Sequence, residues 1–156
     1  MKKVIIVIIL LVIVLSAIGI VVYRKNNEEV EPPVEENKTV VETIKIIIDD
    51  RELIVNLEDN VTSEALLEKL NDGDITINAH DNSNYEKVGD LGFNLPRRDK
   101  YIKTESGDVI LYNGNQICIY YDTNTWNFTR IGKINISQDE LKSILGEGDV
   151  TYIITK

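Results

Sequence analysis

An uncharged run from Val4 to Val22, built almost wholly of Val, Ile and Leu, constrains this chain more than any other feature. Lys2 and Lys3 precede it, and Arg24 and Lys25 follow it. As an α-helix rising about 1.5 Å per residue, such a run reaches roughly 28 Å, close to the hydrocarbon thickness of a bilayer. A cleaved signal peptide is the alternative, but its apolar part usually ends after about 7–15 residues at a small-residue cut site. Ser16-Ala17-Ile18-Gly19 makes a poor site of that kind, and further apolar residues follow it. Lipidation after cleavage would need a Cys close to the cut, whereas Cys118 is the one cysteine. The sequence is therefore read as a short basic leader (1–3) and a single-pass transmembrane anchor (4–23), so that the membrane is the first partner expected.

Basic residues flank both ends of the run, so charge asymmetry does not decide its orientation. Its place at the extreme N-terminus behind a basic leader reads as an export-type start, which puts the C-terminal domain outside the cytoplasm. All 26 acidic residues lie beyond residue 25, against 13 of the 17 basic ones. A domain with that excess of negative charge is repelled by nucleic-acid phosphates and by anionic lipid. Residues 24–41 contain Pro32-Pro33, are acidic and have no apolar period, which marks them as an extended, solvated linker. Residues 42–156 are long enough for one core. With one cysteine, that core must hold without an internal disulfide.

Within 42–156 the pattern is mainly β. Ile44, Ile46 and Ile48 alternate with polar neighbours, Asp49 to Glu52 turn the chain, and Leu53, Val55 and Leu57 alternate again, predicting a hairpin. Asn60 and Thr62 start a short helix with Ala65, Leu66, Leu67 and Leu70 on its apolar face, stopped by Asn71-Asp72-Gly73-Asp74. Asn113-Gly114-Asn115 between two β-rich runs predicts a second hairpin. Phe128 to Ile134 reads as a strand. Ser137 and Glu140 form a capping box, with Ile136 and Leu141 as a hydrophobic staple, for a helix ending at Gly146. Val150 to Thr155 closes as a strand. This order predicts a closed or nearly closed β structure with helices at its ends.

Six blocks then carry a resemblance: Leu57 to Asn60, Tyr85 to Gly92, Leu95-Pro96, Ser106 to Ile117, Trp126 to Ile134 and Leu145 to Val150. In order and spacing they resemble the bacterial cyclophilin-like fold family, over nearly all of residues 44–154. The resemblance implies a compact eight-stranded β-barrel with two helices, common in exported or anchored bacterial proteins and without an established reaction.

True cyclophilins isomerise prolyl bonds with an Arg set in an apolar groove among Phe, Met, Gln, Trp and His. This chain departs from that pattern, since Met1 is its one Met and neither Phe93 nor Phe128 is followed by His-Arg. Such a groove must hold a proline ring while a donor approaches the imide nitrogen and weakens its resonance. Arg130, two residues beyond Phe128 and hence on the same strand face, is the candidate donor if this is an isomerase, with Arg97 and Arg98 behind it. The segment Tyr120 to Phe128 gathers aromatics and amides around a turn, offering flat apolar area with donors for a peptide or sugar. Tyr121, Asn124, Trp126, Phe128 and Arg130 are therefore the candidate ligand-binding residues. The bland alternative is that Trp126 and Phe128 fill the barrel.

No cofactor and no metal are expected. A calcium-loop template over Glu68 to Ala79 fails, because Leu70 sits at a ligand position and Ala79 replaces the closing Glu. Gly146-Glu147-Gly148 follows a helix and precedes a strand, the reverse of a dinucleotide loop, and reads as a helix stop. His80, placed in a polar loop, has no second His. Cys118 reads as a buried, inert thiol. Three functions compete: an anchored, extracytoplasmic module binding a peptide or small ligand; a diverged prolyl isomerase acting on exported proteins; and a structural envelope protein without a ligand site. An exposed Arg130 beside an apolar cleft favours the first two, and an Arg130 tied to a carboxylate on a flat surface favours the third.

Overall fold

The structure, a computed structural model, describes residues 41–156. The expected leader, the anchor at 4–23 and nearly all of the linker at 24–41 lie outside them. Among the described residues no helix is long and apolar enough to cross a membrane. The elements run β1 (Thr43–Ile48), β2 (Arg51–Leu57), α1 (Val61–Lys69), β3 (Ile75–Asn82), β4 (Glu86–Asp90), β5 (Lys100–Lys103), β6 (Asp108–Tyr112), β7 (Gln116–Tyr120), β8 (Thr125–Ile134), α2 (Gln138–Leu145) and β9 (Val150–Thr155).

All strand pairs are antiparallel, and eight strands form a ring in the order β2-β1-β9-β3-β4-β7-β6-β8. The ring closes where β8 meets β2, with Val55 opposite Ile134 and Leu57 opposite Gly132. Closure leaves no open edge in the ring. The ninth strand, β5, pairs with the Thr125 to Phe128 end of β8. Helix α1 joins the end of β2 to the start of β3, and α2 joins the end of β8 to the start of β9. Because the strands alternate in direction, these two connections lie at opposite ends of the barrel, as the element order predicts.

Local chemistry accounts for most boundaries. The first hairpin turns on Asp49 and Asp50 alone, with Asp49 at φ 51°, so Arg51 and Glu52 belong to β2 rather than to the expected longer turn. The Asn60 side chain accepts from the Thr62 and Ser63 N–H groups and caps α1. The Glu140 N–H donates to Ser137 Oγ and opens α2, and Gly146 at φ 63° ends it. Between β6 and β7 the Asn115 N–H donates to the Tyr112 carbonyl across Asn113 and Gly114, both at positive φ. Leu66 and Leu70 near the first barrel end, and Leu141 and Leu145 near the second, are buried in the interior core with Ile44, Ile46, Val55, Ile77, Val109, Leu111, Ile117, Ile119 and Ile131.

One sector of the wall is buried on both faces. Val88, Ile110, Cys118, Tyr120 and Phe128 form a second apolar cluster. Ile110, Cys118 and Tyr120 alternate with interior residues along β6 and β7, Val88 pairs across from Cys118, and Phe128 is two residues from Arg130, which pairs with Ile110, so by strand alternation this cluster lies outside the barrel. Ile102 of β5 and Tyr112 pack against it. Two expectations are corrected here. His80 lies not in a loop but in β3, exposed and opposite Val88, because interior Ile77 and Ala79 commit this polar segment to the sheet. Strand β8 begins at Thr125 rather than Phe128, since β5 supplies a partner for its first four residues.

Candidate functional site

Two residues apart on β8, Trp126 and Phe128 share a strand face. Neither fills the barrel: Phe128 is buried in the outer cluster, and Trp126 is 56% exposed. Together with Asn124 they line a pocket of about 220 Å³ on the outer face. Tyr112 and Tyr120 complete its aromatic lining, and Asn82 and Glu86 contribute the polar part. The rings stand at angles to one another, Tyr112 to Phe128 at 6.0 Å and 66°, and Tyr120 to Phe128 at 5.6 Å and 58°. The first pair is packed edge to face and the second is tilted, so the rings of the lining are not stacked in one plane.

Glu86 reaches this pocket through β-sheet register, lying opposite both Tyr120 and Asn82. It is 5% exposed. Its Oε1 accepts from Asn82 Nδ2 at 2.9 Å, whereas Oε2 accepts no hydrogen bond from any described residue. Burial, and after it the adjacent Glu86 carboxylate, pushes the Tyr120 phenol and the Cys118 thiol well above their ordinary ranges. Cys118 is thus a protonated, buried thiol, the environment opposite to that of a reactive cysteine.

The other candidate residues are elsewhere. Tyr121 follows Tyr120 but alternation sends it to the interior core. Its hydroxyl donates to the Asp81 carboxylate, 2.8 and 2.9 Å from the two oxygens. Burial first, then Asp81, raises its pKa. Asp81 also accepts from Lys87 Nζ at 2.8 Å, and Nζ donates to the carbonyls of Gly146 and Gly148 at 3.0 and 2.6 Å. Burial works to raise the Asp81 pKa, but the hydrogen bonds from Lys87 and Tyr121 outweigh it and hold the carboxyl below its usual range. This cluster pins the loop after α2 across the barrel end. Beside it lies a broad cleft of about 880 Å³ between the β3–β4 turn and α2, bordered by Asp81, Tyr121 and Lys142. Of its charged groups, Asp81 is matched by Lys87 and Lys142 by Asp122 at 3.5 Å, while Asp139 and Glu147 also line it.

Arg130 faces outward, opposite Ile110 of the outer cluster, but it does not line the aromatic pocket. Its Nη2 is 3.1 Å from the buried Asp108 carboxylate, and Nη1 is 3.7 Å from Glu58. A β-bulge between Arg130 and Gly132 turns β8 at this point. Arg97 is paired with Asp99, and the Arg98 N–H donates to Thr129 Oγ1. Of the five candidate binding residues, the fold therefore brings together Asn124, Trp126 and Phe128 and separates Tyr121 and Arg130 from them. Sequence reasoning missed Glu86, Asn82 and Tyr112, which strand register alone places at the pocket. Among the described residues no three His, Cys, Asp or Glu side chains are grouped to hold a metal ion.

The comparisons agree with this architecture. Residues 46–155 match the model of the Cyclophilin-like family. A hypothetical protein from Archaeoglobus fulgidus, whose structure was determined in solution, superposes with a TM-score of 0.56 over 74% of this chain and 95% of its own, at 18% identity. At that identity the likeness speaks for the fold. No curated protein matches the sequence.

Proposed function

The chain belongs to the cyclophilin-like family, and from that premise we propose that its barrel is a binding module that holds a peptide or small ligand in the outer pocket lined by Asn124, Trp126 and Phe128. The observation that carries this reading is the mostly exposed indole of Trp126 beside a recess floored by buried rings. An exposed large aromatic over a preformed aromatic recess is the composition of a recognition site, where flat rigid rings add contact area at little entropic cost. In the charged bay Asp81 and Lys87 are committed to each other and to the loop after α2, which leaves that pair less free for a ligand. In this reading residues 4–23 anchor the module in the membrane, the linker at 24–41 holds it off the surface, and the domain works outside the cytoplasm. The apolar run and the acidic linker composition support that arrangement. Binding without turnover is favoured over prolyl isomerisation, because the guanidinium that would have to approach an imide nitrogen is engaged by Asp108 and Glu58.

The test is calorimetric titration of the full chain, in a non-ionic detergent, with a library of short peptides including Xaa-Pro sequences, alongside an isomerisation assay on the same peptides. We expect binding that Trp126→Ala weakens and Arg130→Ala leaves unchanged, with no rate enhancement. Catalysis lost in Arg130→Ala would overturn this reading in favour of the isomerase.

A further inference from the structure

Glu86 brings a buried carboxyl to a place where no cationic side chain faces it. Among the described residues no Lys, Arg or His lines the pocket and none donates a hydrogen bond to Oε2, although Glu86 is only 5% exposed. Its chain neighbour Lys87 cannot help, because alternation directs it to the opposite face of β4, where Asp81 and two carbonyls take it up. A buried carboxylate left in this state is costly unless a donor or a cation completes it. The aromatic lining adds a second, independent preference. The faces of Tyr and Trp rings carry negative electrostatic potential and attract cations, and rings set at angles around a recess are how proteins receive ammonium groups.

Resting on the reading that this pocket is the binding site, we propose that its occupant is an organic cation, specifically an alkylammonium group, received between the rings with Glu86 as counter-charge. Several observations bear on that class. At about 220 Å³ the space is below the roughly 300 Å³ where sites for drug-sized ligands begin, and it suits a headgroup or one side chain. A charged donor satisfies a carboxylate about twice as strongly as a neutral one. The chain's net charge of −9 attracts cations and repels anions. Asn124 and Asn82 at the pocket supply further polar contacts for whatever bears the ammonium. The same chemistry is presented by a lysine side chain of a peptide and by a free amine.

Trp126 is the one tryptophan in the chain, so its fluorescence reports this pocket without a label. The full-length protein, in a non-ionic detergent, is titrated with n-butylammonium, with butan-1-ol as the uncharged analogue, and with N-acetyl-lysinamide and its Nε-acetylated form. We expect butylammonium to bind at least about tenfold more tightly than butan-1-ol, and Glu86→Gln to abolish that preference. Tighter binding of N-acetyl-lysinamide than of butylammonium, lost on Nε-acetylation, identifies a peptide lysine as the source; equal binding identifies a free amine. If the alcohol and the ammonium bind alike in the wild type, the cation assignment fails while the pocket stands. If none of the four changes the fluorescence, the cation assignment fails too, and the peptide titration described above then decides whether the pocket binds anything. The wild-type comparison needs no variant, so poor folding of Glu86→Gln would not rescue the proposal.

Discussion

Glu86 and Lys87 are adjacent, opposite in charge and both buried, yet they stand on opposite faces of β4 and do not pair. Lys87 is fully enclosed at the barrel end, where Asp81 Oδ2 lies 2.8 Å away and the Gly146 and Gly148 carbonyls take its remaining donors. Glu86 meets an aromatic recess outside the wall. One residue serves the fold, and the other is the group that the fold leaves unmatched.

Lys87→Met follows from the first half of that contrast. The change removes a cation from a buried pair and leaves two loop carbonyls without donors, so it should destabilise the protein by about 3 kcal/mol. Chemical denaturation monitored by circular dichroism measures this. A loss below about 1 kcal/mol would mean that the loop after α2 is held by other contacts.

Acid should expose the same cluster. Asp81 has a folded-state pKa below its unfolded value, so the folded protein binds fewer protons there. Its contribution is therefore fully present above the unfolded pKa of about 3.9 and is lost as pH falls through the lower folded value. Stability measured from pH 6 downward should decline below about pH 4 in the wild type. It should decline less steeply in Asp81→Asn, which begins from a lower plateau. An identical slope in the two proteins would rule Asp81 out as a source of acid sensitivity.

Arg130→Ala should act on stability and not on binding. The substitution removes the 3.1 Å contact to Asp108, but Lys133 Nζ remains 3.0 Å from the other Asp108 oxygen, so the buried carboxylate keeps a partner. A loss of about 1–2 kcal/mol is expected, with ligand affinity in the aromatic pocket unchanged. Affinity falling by tenfold or more would return Arg130 to the site.

The barrel seam makes a separate test. A Cβ on Gly132 would stand 2.5 Å from the Asn56 carbonyl oxygen and 2.8 Å from Val55 Cγ1, where β8 closes on β2. Gly132→Ala should therefore cost about 1–3 kcal/mol through overpacking, read from the denaturation midpoint. A neutral result would mean that the seam between β8 and β2 is looser than its register implies.

How much of this was legible in the sequence depended on whether local chemistry or distant pairing decided the outcome. Ile44, Ile46 and Ile48 announced β1 because one face is core and the other polar, and Asn60, Ser137 and Asn113-Gly114 announced caps and a turn because those side chains and φ values act within a few residues. Strand β3 hid behind Asn78, His80, Asp81 and Asn82, polar residues that the sheet tolerates because Ile77 and Ala79 alone need the interior. Strand β5, with lysines at both ends, exists because β8 offers it an edge. The candidate site divides in the same way. Asn124, Trp126 and Phe128 were visible as an aromatic and amide cluster along one stretch. Tyr121 was grouped with them by proximity in sequence, but it belongs to the interior by the same alternation that gives Tyr120 to the pocket. Arg130 shares the outward direction of Phe128, and its neighbours Asp108 and Glu58, which claim its guanidinium, come from 22 and 72 residues away. Glu86 gave no local signal at all; only its register with Tyr120 and Asn82 places it at the site.

The central claim, that the outer aromatic pocket is the binding site and that Glu86 defines its ligand class, is tested most directly by residue-resolved NMR of the full chain during titration with n-butylammonium. The account predicts saturable shifts of the Trp126 indole and of the Glu86, Asn124 and Phe128 backbone amides, with the Tyr121 and Lys142 amides unmoved. Shifts gathered instead at Tyr121, Lys142 and Gly146, or no saturable shift at Trp126 at any concentration, would contradict it.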